Sequence, residues 1–302
     1  MYSVIYMGTP DFAVPCLEAL ADAGAQIKCV VTQPDKPVGR KQILTPSAVK
    51  KAALERGLPV YQPNTLKSDE AYEYLKQFDV DFLVVAAYGK ILPKRVLELP
   101  RIAPVNVHGS LLPHLRGAAP IQRAVMGGDK VSGVTTMLMG EGLDTGDMLL
   151  KEVVKIGEKE TAGELFDRLA ALSPTILLKT LDGLVSGAIT PIKQNDDEAD
   201  YAAMLSPAEA EINWNDTAET IYNLVRGLNP WPVAYTRLDG KKFKIYTCEK
   251  TDIVNNSGDC GLFAENGKIY ARCADKVLHL TEIQAEGGKR MLDDAYLRGH
   301  TL

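Results

Sequence analysis

Asn106 and His108 stand two positions apart at the end of an apolar run, in Ala-Pro-Val-Asn-Val-His-Gly-Ser-Leu-Leu-Pro-His-Leu-Arg-Gly (103–117). In an extended strand, residues two apart project from the same face. Both side chains would therefore point together. An amide donor beside an imidazole suits stabilisation of a developing oxyanion. Asp144 follows downstream, in a loop that also carries Gly140, Gly142 and Gly146. A carboxylate beside an imidazole favours its protonated form and fixes its orientation. Glycines let the backbone approach a ligand closely. The pattern alone leaves a second reading open: an Asn-x-His at a strand end can be a satisfied polar pair in a core, and many turns resemble the Asp144 loop.

The frame for these residues comes from alternating short apolar runs and amphipathic stretches. Residues 3–7, 27–31, 81–86 and 105–108 read as strands, with helices over 12–21, 47–56 and 71–78 and a short one starting at Pro120. Strand–helix alternation implies an α/β fold, a Rossmann-like, mostly parallel sheet with helices on both faces. Such sheets bind ligands beyond the C-terminal ends of their strands, which is where Asn106 and His108 fall. Strand-like 134–139 and 148–156 follow. A long helix over 161–183 then places Leu165, Leu169, Leu172 and Ile176 at helical spacing, as packing. At Gly187 the texture changes. Residues 187–205 hold Pro191 and an acidic run (Asp196, Asp197, Glu198, Asp200) and read as a linker. Beyond it come one short helix, 217–226, and β-like runs 233–238, 242–249, 261–263, 268–272 and 277–284 separated by glycine turns. That pattern suggests a small OB-like β-barrel. The expected division is a catalytic domain over 1–186, a linker over 187–205 and an OB-like domain over 206–302.

The 302 residues are 46% apolar and 24% charged, ordinary for a globular chain of about two domains. The net charge of −5 means that any nucleic-acid contact must be local, because phosphate neutralisation needs clustered basic groups. Cys16, Cys29, Cys248, Cys260 and Cys273 are widely spaced and contain no Cys-x-x-Cys, which argues against a zinc site or a disulfide framework. Reduced, mostly structural thiols are expected, and no metal. The N-terminus lacks a signal-peptide pattern, and no apolar stretch reaches the roughly 18 residues needed to span a bilayer. A cytoplasmic location is the default expectation. The first strand ends in Met7-Gly8-Thr9-Pro10 without Gly-x-Gly-x-x-Gly, so a nicotinamide-dependent dehydrogenase lacks its phosphate cradle.

Asn-Val-His-Gly-Ser-Leu-Leu-Pro-His-Leu-Arg-Gly, with Gly-Leu-Asp-Thr-Gly-Asp some thirty residues later, resembles the 10-formyltetrahydrofolate-dependent formyltransferase family. The resemblance implies that Asn106, His108 and Asp144 form the catalytic set. It implies a folate site along Ser110, Leu111, Leu112 and Pro113, with a pterin-binding loop over 86–92 that includes Tyr88 and Gly89. Pro113 also fixes a turn and limits Leu112 to extended conformations. The implied co-substrate is 10-formyltetrahydrofolate. The implied reaction is direct attack of a neutral amine on the formyl carbonyl through a tetrahedral oxyanion. His114 is expected at the surface or the ligand mouth.

Among acceptors the family includes methionyl-tRNA, glycinamide ribonucleotide and aminosugar nucleotides. Residues 32–50 are similar to the tRNA-contacting insertion of the methionyl-tRNA branch. Across Pro34–Lys51, Lys36, Arg40, Lys41, Lys50 and Lys51 against Asp35 give a local balance of +4. Arg40 and Lys41 are the implied tRNA contacts, and the 34–45 loop is expected to be mobile. Arg-Gly-Leu-Asn-Pro-Trp-Pro (226–232) resembles the signature of the family's C-terminal domain, with Trp231 expected to be structural; Met7–Ala13 also matches the methionyl-tRNA branch. Met204 stands where the family's linker often has lysine. From Ser206 onward 12 basic residues face 14 acidic ones, so RNA contact there would come from one face, near Lys241, Lys242 and Lys244. The implied partner is initiator Met-tRNA, and a monomer with no membrane partner is expected. The rival readings are an aminosugar-nucleotide formyltransferase and a non-catalytic RNA-binding module.

Overall fold

The computed structural model describes residues 2–39 and 42–302. In chain order its elements are β1 (Ser3–Gly8), α1 (Val14–Asp22), β2 (Gln26–Val31), β3 (Lys36–Val38), β4 (Ile43–Thr45), α2 (Ala48–Glu55), β5 (Val60–Tyr61), α3 (Asp69–Lys76), β6 (Phe82–Ala86), α4 (Lys94–Leu97), β7 (Ala103–His108), β8 (Arg116–Gly117), α5 (Pro120–Gly127), β9 (Val131–Leu138), β10 (Met148–Lys155) and α6 (Ala162–Ser186). They continue with β11 (Tyr201–Ala202), α7 (Ala218–Gly227), β12 (Tyr235–Leu238), β13 (Lys241–Val254), β14 (Gly261–Glu265), β15 (Lys268–Arg272), β16 (Lys276–Ala285), β17 (Met291–Leu292) and α8 (Asp293–Leu297). Two compact units result. One is built from Met1–Ala118, Ser132–Val154 and Phe166–Ala202, the other from Ala119–Val131, Lys155–Leu165 and Ala203–Leu302.

The first unit carries a seven-stranded sheet in the order β10-β9-β7-β6-β1-β2-β5. Strands β5, β2, β1, β6 and β7 run parallel, and β9 pairs antiparallel with β7. The inner strands are apolar on both faces, as a sheet covered by helices on both sides requires. Ile5 and Met7 join Leu66, Ala71, Leu75, Val96 and Leu97 in one core cluster. On the opposite face Val4 and Tyr6 are also fully buried, and the Tyr6 hydroxyl donates to the Ala13 carbonyl ahead of α1. Helices α2 and α3 start at Ser47 and Ser68, whose hydroxyls accept from Lys50 N and Ala71 N and so satisfy orphan donors of the first turn. The strand order reverses at β1, which lies between β2 and β6; the crevice at such a switch point is the ligand-binding edge of this architecture.

The second unit curls an antiparallel sheet, β12-β13-β16-β15-β14 with β17 on β16, in keeping with the OB-like expectation. Strands β13, β14 and β16 are longer than the sequence pattern suggests, β15 has the expected bounds and β12 is shorter. β13 runs for 14 residues because register shifts at Ile245/Thr247, Thr247/Cys248 and Lys250/Val254 bend it, which breaks the regular alternation. Ile221, Val225, Phe243, Ile245, Ile269, Leu278, Leu280 and Ile283 fill its core.

Several segments carry structure that the sequence pattern did not mark. The 34–45 segment contains a hairpin, with Lys36 opposite Thr45 and Pro37 opposite Leu44; Arg40 and Lys41 themselves lie outside the described residues. The segment 187–205 is not featureless: Ile192 bridges to Met148, Asn195 caps a short 3-10 turn at Asp196–Glu198, and β11 pairs in parallel with β8. Trp231, between Pro230 and Pro232, is 59% exposed. By length and composition alone α6 is apolar enough to cross a membrane, a test that the core helix of a folded domain also passes. Leu165, Leu169, Leu177 and Leu181 of α6 are nevertheless fully buried within the protein. The helix also buries Ser173 and Thr180, whose hydroxyls donate to carbonyls one turn back.

Candidate functional site

Strand β7 places Asn106 and His108 on one face, between β6 and β9. Both are nearly buried, at 8% and 6% exposure, so their polar atoms need partners. The loop between β9 and β10 brings Asp144 to them. Asn106 Nδ2 lies 3.4 Å from Asp144 Oδ1, and His108 Nδ1 lies 3.7 Å from Asp144 Oδ2. The other imidazole nitrogen, Nε2, lies 2.9 Å from the Leu115 carbonyl oxygen. A carbonyl only accepts, so Nε2 carries a proton and the ring presents Nδ1 towards Asp144. The structure thus brings together all three residues singled out from the sequence.

Asp144 is held by more than these two neighbours. Its Oδ2 accepts from Gly117 N at 2.8 Å. Its backbone is left-handed, with φ 52°, a region that aspartate enters more readily than most non-glycine residues. Two residues on, Gly146 is required by contact: a Cβ there would overlap the Leu138 carbonyl oxygen. The contacts at 3.4 and 3.7 Å are long for hydrogen bonds to a carboxylate, so Asn106 Nδ2 and His108 Nδ1 remain able to turn to a reacting oxygen.

The segment after His108 forms a wall beside this cluster. Ser110 and Leu112 are 1% and 0% exposed, while Leu111 and Pro113 are half-buried. Ser110 donates its hydroxyl to the His114 carbonyl, and Thr135 Oγ1 donates to Ser110 O while accepting from Leu112 N. Lys151 Nζ donates to Leu112 O; burial pulls its ammonium below the ordinary lysine value, against the opposing charge of Glu198. The Leu112–Pro113 peptide is cis. His114 is half-exposed and pairs with Asp200 at 2.9 Å, which agrees with a surface position.

At the end of β6, Ala87 and Gly89 both take positive φ. The Tyr88 carbonyl accepts from Thr9 Oγ1 at 3.0 Å and Gln33 Nε2 at 2.8 Å. A Cβ at Gly89 would come within 2.7 Å of Gln33 Nε2, so the loop is shaped around a bare backbone. The Tyr88 ring is buried in the apolar cluster, and burial beside Tyr61 pushes its phenol up to about 12. Tyr88 therefore offers main chain rather than a side chain. Arg40 and Lys41 lie outside the described residues.

The sequence did not point to the residues that brace the cluster. Arg116, 2% exposed, donates from Nε to Gln194 Oε1 at 2.9 Å and pairs with Asp196 at 2.8 Å. Burial alone would lower this guanidinium, but the Asp196 and Tyr201 hydrogen bonds outweigh it and hold it above its ordinary value. Leu115 N donates to Asp200. The one available signal was the acidic run at 196–200, read as linker although a buried arginine and a histidine needed partners.

Comparison with known proteins accounts for the whole chain. Residues 2–181 match the family model described as "Formyl transferase", and residues 204–301 match "Formyl transferase, C-terminal domain". A methionyl-tRNA formyltransferase of Clostridium acetobutylicum is 47% identical over 100% of this chain and 98% of its own length. One of Bacillus cereus is 44% identical over 99% and 96%. Among solved structures, an N-formyltransferase from Helicobacter canadensis, in complex with folinic acid and dTDP-3-aminofucose, aligns with a TM-score of 0.69 at 20% identity, covering 93% of this chain and 99% of that one. That likeness bears on the fold alone. With a family model over more than half of its residues and full-length relatives at this identity, the chain belongs to the formyl transferase family.

Proposed function

We propose that this chain transfers the formyl group of 10-formyltetrahydrofolate to the α-amino group of methionine on initiator Met-tRNA, a step in translation initiation. One observation carries the chemistry: Asn106 Nδ2 and His108 Nδ1, the latter a donor in the imidazolium, converge on the Asp144 carboxylate at the end of β7. The acceptor rests on full-length relatives named methionyl-tRNA formyltransferase.

The amine lone pair attacks the formyl carbon, and the carbonyl π electrons move to oxygen. Asn106 and a protonated His108 donate to that oxyanion, where preorganised donors act most strongly. Asp144 orients the imidazolium and holds a water that carries the amine proton to N10 of the folate. Collapse re-forms the carbonyl and breaks the bond from carbon to N10, releasing tetrahydrofolate and formylated Met-tRNA. No covalent enzyme intermediate is needed. The segment Ser110–Leu111–Leu112–Pro113 serves as one wall of the folate site. Because Ser110 and Leu112 are turned inward, Leu111, Pro113 and main chain would meet the ligand. Tyr88 and Gly89 would line the pterin end through backbone. Arg40 and Lys41 would grip tRNA phosphates. A monomeric, cytoplasmic enzyme with no membrane partner completes the reading, within the domain division 1–186, 187–205 and 206–302.

The test is formyl transfer to charged initiator tRNA by the wild type and His108→Ala side by side. Transfer that is lost in the variant while folate still binds supports both the acceptor and the catalytic set. Folate binding without transfer to Met-tRNA redirects the acceptor to aminosugar nucleotides. Full activity in His108→Ala refutes the assigned catalytic set.

A further inference from the structure

The side-chain amide of Gln194 lies among three fixed groups. Nε2 is 2.8 Å from the Asp144 carbonyl oxygen and 2.7 Å from that of Gly146, and Oε1 is 2.9 Å from Arg116 Nε. Carbonyls only accept and a guanidinium only donates, so the orientation of this amide is dictated by its partners. Gln194 is 5% exposed, and both of its N–H groups are spent on the loop that carries Asp144. The contacts close a ring. Gln194 holds the main chain of Asp144; Arg116 holds Gln194; Gly117, next to Arg116, donates its N–H to the Asp144 carboxylate at 2.8 Å. Strand β8 is itself fixed to β11, through Arg116 N to Asp200 O and Ala118 N to Ala202 O. Main chain and carboxylate of one residue are thus tied to the same two-residue strand.

The base of the loop is anchored independently, by Leu138 N to Asp147 O at 2.8 Å. Loss of the Gln194 bonds therefore frees the segment around Asp144 without opening the hairpin. That segment is the one held in left-handed backbone. Once released from the two Gln194 bonds, it is free to sample other arrangements, and the carboxylate turns away from His108 and Asn106.

We infer that Gln194, held by Arg116, is a positioning residue for the formyl transfer: it sets the direction of the Asp144 carboxylate and through it the His108 imidazole. The inference rests on the proposed catalytic role of Asp144. It gives the 194–200 segment a function beyond connection.

The experiment is a double-mutant cycle with two replacements. Gln194→Glu keeps the shape and the Arg116 contact but turns an acceptor on the two carbonyls. Gln194→Met keeps the shape and removes all three bonds. Each is measured alone and combined with Asp144→Asn, for kcat, for KM of the folate and of Met-tRNA, and for Tm. A misplacement of about 1 Å at a reacting centre costs on the order of 100-fold, so kcat in both single variants should fall roughly 10- to 100-fold with each KM within about threefold. In the Asp144→Asn background the further loss should shrink to about threefold or less, because the residue being positioned no longer acts. The same fold-loss in both backgrounds overturns the inference and leaves Gln194 merely structural. Wild-type kcat in Asp144→Asn overturns the role of Asp144 itself, and the inference with it. A readout independent of activity is exchange of the Gly117 amide in the free protein. It should speed up at least about tenfold in Gln194→Met and in Asp144→Asn, and an unchanged rate in Gln194→Met overturns the inference even where no variant is active.

Discussion

Gly146→Ala isolates the position of the Asp144 loop from its chemistry. Gly146 does not use left-handed backbone, so alanine is conformationally acceptable there and the effect is steric. Its Cβ would lie 2.8 Å from the Leu138 carbonyl carbon and closer still to the oxygen, where ordinary contact begins at 3.4 Å. Leu138 is the last residue of β9 and cannot retreat without disturbing the sheet. The loop must move instead, by roughly 1 Å, which is the scale of misplacement that costs about 100-fold in rate, or some 2.7 kcal/mol of barrier. The motion reaches Asp144 directly, because Gln194 couples the carbonyls of 144 and 146. It also stretches the 2.8 Å bond from Gly117 N past hydrogen-bonding range. Single-turnover formyl transfer should therefore slow by about 30- to 100-fold, while folate affinity, measured by fluorescence quenching, stays within about twofold. Gly140→Ala is the control: nothing lies within 4 Å of its Cβ, and its rate should match the wild type. A Gly146→Ala rate within threefold of wild type, or an equal loss in Gly140→Ala, would show that loop position does not limit the chemistry.

Other outcomes follow from the same structure. Asp81 is held below the usual carboxylate range first by the Ser3 main-chain N–H at 2.8 Å, then by Arg101 and the Ser3 hydroxyl, against partial burial that works the other way. A depressed folded-state value stabilises above the unfolded value near 4 and is lost as pH falls through the folded value. The Tm advantage of wild type over Asp81→Asn should thus be full at pH 6 and close progressively below about pH 4; a constant gap in thermal melts across that range contradicts it. Burial pushes the Cys16, Cys29 and Cys273 thiols up to about 12 and Cys248 higher still, whereas Cys260 is exposed. An aromatic disulfide reagent at pH 8 should label one thiol rapidly and the other four only on unfolding, and rapid labelling of Cys260→Ser refutes the assignment. For the proposed tRNA contacts, Arg40→Ala with Lys41→Ala should flatten the slope of log affinity against log salt by about 1 to 2 while leaving folate binding unchanged. Met204 is 76% exposed, so Met204→Lys should steepen the same slope, by less than about 1.

What could be read in the sequence and what could not divide along a physical line. Period-two and helical spacing are local, so the parallel sheet, its flanking helices and the shared face of Asn106 and His108 were visible from neighbours in the chain. The family motif carried Asp144 to them across 36 residues, which spacing alone could not do. Strand lengths in the second unit were hidden because bulges in β13 break the alternation that marks a strand. Ser110 and Leu112 were not legible as inward-facing, because that depends on Thr135 reaching both from a neighbouring strand. The bracing of the site was hidden most completely. Gln194 and Asp196 lie 78 and 80 residues from Arg116, and Asp200 lies 85 from Leu115, in a stretch whose composition reads as linker. A polar run with no apolar period is soluble loop only if its side chains face water. Here a buried guanidinium at Arg116 had to be neutralised and a left-handed Asp144 had to be held, and the unmet demands of those two residues account for the acidic and amide residues where they stand. A buried charge with no nearby partner in the sequence is therefore the signal to search distant polar runs for the residues that position a catalytic group.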